Sequence, residues 1–198
     1  MEENNEGMGM LRKYAVPVAV LALVVAIGGW AIGTFNSLTS MRVGVESDWA
    51  QVENVMQRRC DLIPNLVASV KGEMQNEQEI FGSIAESRKQ FQESDSPADK
   101  LKADEELSRQ TTILVNAVKE SYPDLASSEQ VKSLMVQLEG SENRISTERR
   151  RYIEAVAKYD RALAMFPANV LAGPMGFEKI DQFKASDAAQ DVPAVSFD

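Results

Sequence analysis

Arg59, Glu77 and Arg88 fall on core-facing steps of one long apolar stripe, and Glu142 and Arg149 do the same on another. Asp61 lies two residues beyond Arg59, and Asn116 is a further polar candidate from a third stripe. A buried unpaired charge costs several kcal/mol, so these groups should pair across helices. Two chemistries are open to such a set. Buried ion pairs can fix the register of long helices that would otherwise slide. Alternatively the set forms a polar site for a ligand or an ion, with two acidic side chains acting as acid and base. The first is favoured. The chain has no histidine, no Gly-rich phosphate loop and no nucleophile beside a base.

Other reactive residues point the same way. Cys60 adjoins Arg58 and Arg59, which would lower its pKa, but a small residue packed at a helix interface is the better reading. Arg149, Arg150 and Arg151 point in three directions on a helix, so they make a solvated face rather than a phosphate patch. The nine methionines are scattered and form no metal site. A lone cysteine excludes an intramolecular disulfide and Cys-rich metal sites, and the lack of histidine removes His-based catalysis and His-containing zinc sites. No cofactor is expected. Across 198 residues the net charge is −9, which argues against nucleic acid as a partner, since phosphates need excess cations.

The elements that must position these charges read as long helices. Val45, Trp49, Val52, Met56, Arg59, Ile63, Leu66 and Val70 recur at steps of four and three, in a heptad-like, coiled-coil manner. The pattern continues through Glu77, Phe81, Ile84 and Arg88, which predicts one helix over residues 37–92, kinked at Pro64. The competing reading is a break at Pro64, with Asp61 capping a new helix. Ser96, Pro97 and Asp99 have the spacing of a helix start, and a second helix follows to Ser121 with Leu107, Leu114, Val118 and Tyr122 inward. Its first half is so polar that an exposed or frayed end is expected. Pro123 and Asp124 turn the chain, and Ser127 with Gln130 suggests a capping box. The third helix, residues 128–165, carries Val131, Leu134, Leu138, Glu142, Ile145, Arg149, Tyr152, Val156, Tyr159, Leu163 and Phe166. Pro167 ends it. Phe177, Phe183 and Phe197 predict a tail that packs back on the bundle, with a short helix near residues 177–185.

Upstream, 28 consecutive residues from Tyr14 to Met41 carry no charge. About 20 apolar residues cross the hydrocarbon core, so Tyr14–Phe35 is long enough to span a membrane. Trp30 and Phe35 sit where interfacial aromatics are common, and Arg12 and Lys13 flank the near end. A cleaved signal peptide would use Met1–Lys13 and the small residues around Ala31–Gly33, but the apolar stretch exceeds a usual signal core, so retention is expected. Two basic residues precede the span and Arg42 follows it, a margin of one charge that leans towards a bundle outside the cytoplasm. The expected organisation is a polar tail at 1–13, a membrane helix at 14–35, a helical bundle at 36–170 and a packed C-terminal segment at 171–198.

The run Arg58-Arg59-Cys60-Asp61-Leu62-Ile63-Pro64-Asn65-Leu66-Val67, followed by Val70-Lys71-Gly72, resembles the LemA family of bacterial membrane proteins. Phe35-Asn36-Ser37-Leu38, Trp49, Glu77, Arg88, Tyr122-Pro123-Asp124-Leu125, Glu142-Asn143, Ile145, Arg149, Tyr152, Phe166-Pro167-Ala168-Asn169, Gly176-Phe177 and Phe183 continue the likeness in order. It covers residues 10–198. Glu73, Asn76 and Ile153 depart from the family's usual Tyr, His and Asn. The resemblance implies an all-α fold: an N-terminal transmembrane helix and an elongated, antiparallel, four-helical bundle. It implies no catalytic activity. Some relatives are encoded beside a membrane metalloprotease, and one branch acts in magnetosome membrane formation.

Together these readings predict a non-enzymatic scaffold or interaction module. It is held in the cell membrane through Tyr14–Phe35 and partnered by another protein, a second copy or a membrane protease. A sensor or ligand-binding bundle using the polar stripe is the second expectation.

Overall fold

The computed structural model describes the backbone of residues 3–180 and the side chains of residues 14–180. Every regular element among the described residues is α-helical: α1 (Glu3–Val70), α2 (Gln78–Glu93), α3 (Pro97–Ser121), α4 (Pro123–Ser127), α5 (Glu129–Ala164) and α6 (Ala168–Ala172). The fold is therefore all-α with an N-terminal membrane helix. The chain forms two compact units, with the divisions falling between Gly44 and Val45 and between Ala155 and Val156.

One unit takes the chain up to Gly44 together with Val156–Ile180. Within it, α1 carries the apolar stretch, whose valines, leucines and isoleucines are outward and more than half exposed. Lipid can solvate such a surface and water cannot. Past the span, Leu38, Val156, Tyr159, Leu163, Ala172 and Phe177 are buried. The Phe35 and Phe177 rings meet edge to face at 5.4 Å. Gly176, at φ 77°, supplies the left-handed residue that returns the chain, so that the Phe177 amide donates to the Ala172 carbonyl. Residues 177–180 are not helical, so no helix begins at Phe177. The rest of that expectation, including Phe183 and Phe197, lies outside the described residues.

The other unit, residues 45–155, is built from four longer helical segments, of α1, α2, α3 and α5, with the short α4 between the last two. Glu53–Lys100 and Arg59–Asp104 pair α1 with α3 in the same direction. Ser69–Gln130 and Trp49–Tyr152 pair α1 with α5 in opposite directions. The interior is made of Val52, Met56, Ile63 and Leu66 from α1, Phe81 and Ile84 from α2, Leu107 and Leu114 from α3, and Val131, Leu138 and Ile145 from α5. Burying each such side chain favours the folded state by about 1.5–3 kcal/mol before entropy.

Three expectations are corrected, and the competing reading of a break at Pro64 is set aside. The first soluble helix does not run to residue 92: it stops at Val70, and residues 71–77 form a linker before α2. Gly72 is a poor helix former, and the Glu73 and Met74 amides close the end of α1 on the Val70 carbonyl. The linker is seven residues long, one heptad, so the apolar spacing survives the break. The residues after the linker instead form a separate helix, α2. Pro64 does not break α1, and Asp61 caps nothing; it is exposed and accepts from Gln57 Nε2 at 2.8 Å. The polar start of α3 is not a frayed end: Leu101, Ala103 and Asp104 are buried there, and Ser96 Oγ accepts from the Asp99 amide at 3.1 Å. Finally, Ser127 ends α4, and Ser128 instead offers its hydroxyl to the Val131 amide at the start of α5.

Candidate functional site

Arg59 is the centre of the polar interior. Its position between Met56 and Ile63 on the buried stripe of α1 leaves it 2% exposed. Its Nη2 donates to the Asp104 carboxylate at 2.5 Å and to the Asp104 carbonyl at 2.7 Å. Its Nη1 donates to Glu142 on α5. One guanidinium therefore ties α1 to α3 and α5. Planar, forked donors suit this better than a lysine would.

Asp104 is 1% exposed and carries a second guanidinium, Arg149 of α5, whose Nη2 lies 3.1 Å from its other oxygen. Arg149 also reaches the Leu101 carbonyl at 3.3 Å and Glu105 at 3.5 Å. Burial pushes the Asp104 carboxyl above the usual carboxylate range; Arg59 and Arg149 pull it back, and Glu142 adds to the rise. Glu142 itself is half exposed and accepts from the Ser108 hydroxyl at 3.1 Å. Each carboxylate of the chain Glu142–Arg59–Asp104–Arg149–Glu105 is already engaged by a guanidinium. That geometry braces helices.

The structure thus brings Arg59, Glu142 and Arg149 together and leaves the other expected residues elsewhere. Glu77 is half-buried at the N-cap position of α2, with no capping bond from its side chain. Arg88, half-buried on α2, lies against the Cys60 thiol. Asp61 faces outward, and Asn116 is exposed. Burial raises the Cys60 pKa, with Arg88 opposing the rise. The neighbouring arginines therefore do not yield an activated thiolate.

Asp104 is the partner that pattern reading missed. The signal was present: Leu101, Asp104, Leu107, Thr111, Leu114 and Val118 recur at steps of three and four, all buried. The acid stood on a core step, hidden by the charged residues around it.

Beside this network, α3, α4 and α5 enclose a groove of about 710 Å³. Arg59 and Glu142 close one part of it, Val115 and Val136 contribute apolar wall, and Lys119 and Lys132 contribute cations. The Arg59 Nε is buried and has no hydrogen-bond acceptor. Among the described residues, no group of three or more acidic or cysteine side chains is arranged to hold a metal ion.

The sequence pattern of the LemA family matches residues 48–197. The chain belongs to the LemA family. It is also similar to magnetosome proteins MamQ 1 and MamQ 2 of Paramagnetospirillum magneticum, each 25% identical over 221 residues, covering 99% of this chain and 81% of the relative. Magnetosome protein MamQ of Magnetospirillum gryphiswaldense is 24% identical over 204 residues, covering 90% of this chain and 74% of that protein. For this LemA-family chain, the match reaches from Asp48 of α1 through α5. It includes the Arg59 and Asp104 positions.

Proposed function

We propose that this LemA-family protein is a single-pass membrane protein whose bundle serves as a non-enzymatic scaffold or interaction module. The observation that carries the reading is where the buried charges go. Arg59 and Arg149 both bind Asp104, tying three helices together through it, as a rigid framework requires, while α1 continues into an apolar stretch fit to anchor it. The partner is another protein: a second copy, or a membrane protein such as a protease. The one-charge bias across the span favours a bundle outside the cytoplasm. Similarity to magnetosome proteins fits a membrane-associated assembly.

Affinity capture from gently solubilised membranes tests this. A reproducible partner or a homo-oligomer is expected, and a clean monomer without partner across several detergents overturns it. Protease treatment of intact cells, read on a tag after Asp198, tests the side: loss of the tag is expected, and protection until lysis reverses the orientation.

The groove beside Arg59 favours a second reading, a ligand-binding bundle. Its volume falls in the range of small-molecule sites, and Arg59, Lys119 and Lys132 supply cationic side chains to its lining. A ligand that raises the melting temperature of the wild type but not of a Lys119→Ala, Lys132→Ala variant supports it. Equal melting curves across a ligand panel remove it.

A further inference from the structure

The turn from α5 into α6 exposes apolar side chains that the bundle does not need. Phe166 is 80% exposed, more than any large apolar side chain of the span, and Met165 and Val170 are about as open as the span's valines at 59% and 61%. These residues belong to an uncharged run of 16, from Ala162 to Phe177, whose only amide side chain is Asn169. Exposed Arg161 precedes the run, and exposed Glu178 and Lys179 follow it.

The place of this turn decides its partner. Within the same compact unit, Ala162 and Ala168 line a cleft with Trp30, Thr34 and Ser37 of α1, and Phe177 stacks on Phe35. Tyr14–Phe35 is 22 residues, or about 33 Å of helix, close to the thickness of a hydrocarbon core. With that stretch across the bilayer, Trp30–Ser37 lies at the membrane interface, and the turn lies beside it. A water-exposed Phe166 would cost apolar hydration, whereas the interfacial layer accepts aromatic and aliphatic groups.

We infer that the α5–α6 turn is a second membrane contact, inserting Phe166, Met165 and Val170 shallowly into the same leaflet from which α1 emerges. This rests on the membrane-anchoring reading above. Two attachment points on one leaflet restrict the tilt and rotation of the unit at the surface, which a single helix cannot do.

The chain's single cysteine makes the test direct. In a Cys60→Ala background, full-length protein carrying Phe166→Cys, Val170→Cys or Val24→Cys is labelled with an environment-sensitive dye and reconstituted in phosphatidylcholine–phosphatidylglycerol vesicles. Nitroxide lipids then quench from shallow or deep positions. Labels at 166 and 170 should be quenched about twofold more by shallow than by deep nitroxides, as expected for interfacial insertion, and the label at 24 more by deep ones. A quenched label at 24 with water-like, unquenched labels at 166 and 170 overturns the second contact alone. An unquenched label at 24 overturns the anchor and the inference with it. Phe166 and Val170 are exposed, so neither replacement removes a core contact; if one variant misfolds, the other carries the test.

Discussion

Arg59 on α1 grips Asp104 on α3 twice, through the carboxylate and through the backbone carbonyl. The second bond ties the guanidinium to the main chain of α3 itself, so the pair fixes axial register as well as charge. Both residues are almost completely buried. Removing Arg59 leaves buried Asp104 with Arg149 alone, and removing Asp104 leaves buried Arg59 with only the half-exposed Glu142.

Arg59→Met should therefore destabilise the bundle by about 3–5 kcal/mol, the range for breaking a buried pair. Glu142→Gln, which alters a half-exposed partner of the same guanidinium, should cost under about 1 kcal/mol. Thermal melting by circular dichroism in detergent separates the two. Equal losses would mean that the exposed contact matters as much as the buried one.

Arg59→Met combined with Asp104→Leu should recover more than half of the loss. An apolar pair of similar volume avoids the desolvation that two charges require, and Arg149 keeps Glu105 at 3.5 Å. Strict additivity of the two single losses would argue that they do not act as a unit.

How much of this was legible in the sequence depends on the period of the signal. Threes and fours along Val45–Val70 and Val131–Leu163 placed α1 and α5, because a helix repeats every 3.6 residues and its buried face must be apolar. The same arithmetic could not see the linker at residues 71–77, since a seven-residue break preserves heptad phase. Arg59, Glu142 and Arg149 stood out as charges inside apolar runs. Asp104 did not, because Lys102, Glu105 and Glu106 surround it. Which of four adjacent charges turns inward is set by the facing helices, not by local spacing. Phe166 was placed on a stripe, and the turn at Pro167 instead carries it out of the core.

Pro64→Ala should raise stability by about 1–2 kcal/mol. Pro64 lies inside α1 and cannot donate to the Cys60 carbonyl, and an interior proline costs about 3 kcal/mol relative to alanine. Lost packing of the half-buried ring offsets part of the gain. A lower melting temperature would show that the helix is shaped to the proline.

Ser96→Ala should cost about 1 kcal/mol, and Ser96→Gly only a few tenths. The Ser96 hydroxyl accepts from the Asp99 amide at 3.1 Å and donates to the Asp99 carboxylate at 2.7 Å. Asp99→Ala should lose less than Ser96→Ala, because the amide bond survives. The opposite order would assign the cap to the carboxylate.

The buried thiol sets an alkaline limit. Burial raises the Cys60 pKa; Arg88 and Arg59 oppose the rise and Asp61 adds to it. A thiol that holds its proton more tightly when folded contributes its full stability below the unfolded value and loses it as pH rises through the folded one. The stability advantage of wild type over Cys60→Ala should therefore shrink as pH rises from about 7.5 to about 10, since unfolded cysteine titrates near 8.5. Denaturant melts at several pH values read it directly. A constant gap would mean that Arg88 cancels the cost of burial. Native protein at neutral pH should also alkylate far more slowly than unfolded chain, because the side chain is fully buried as well as protonated.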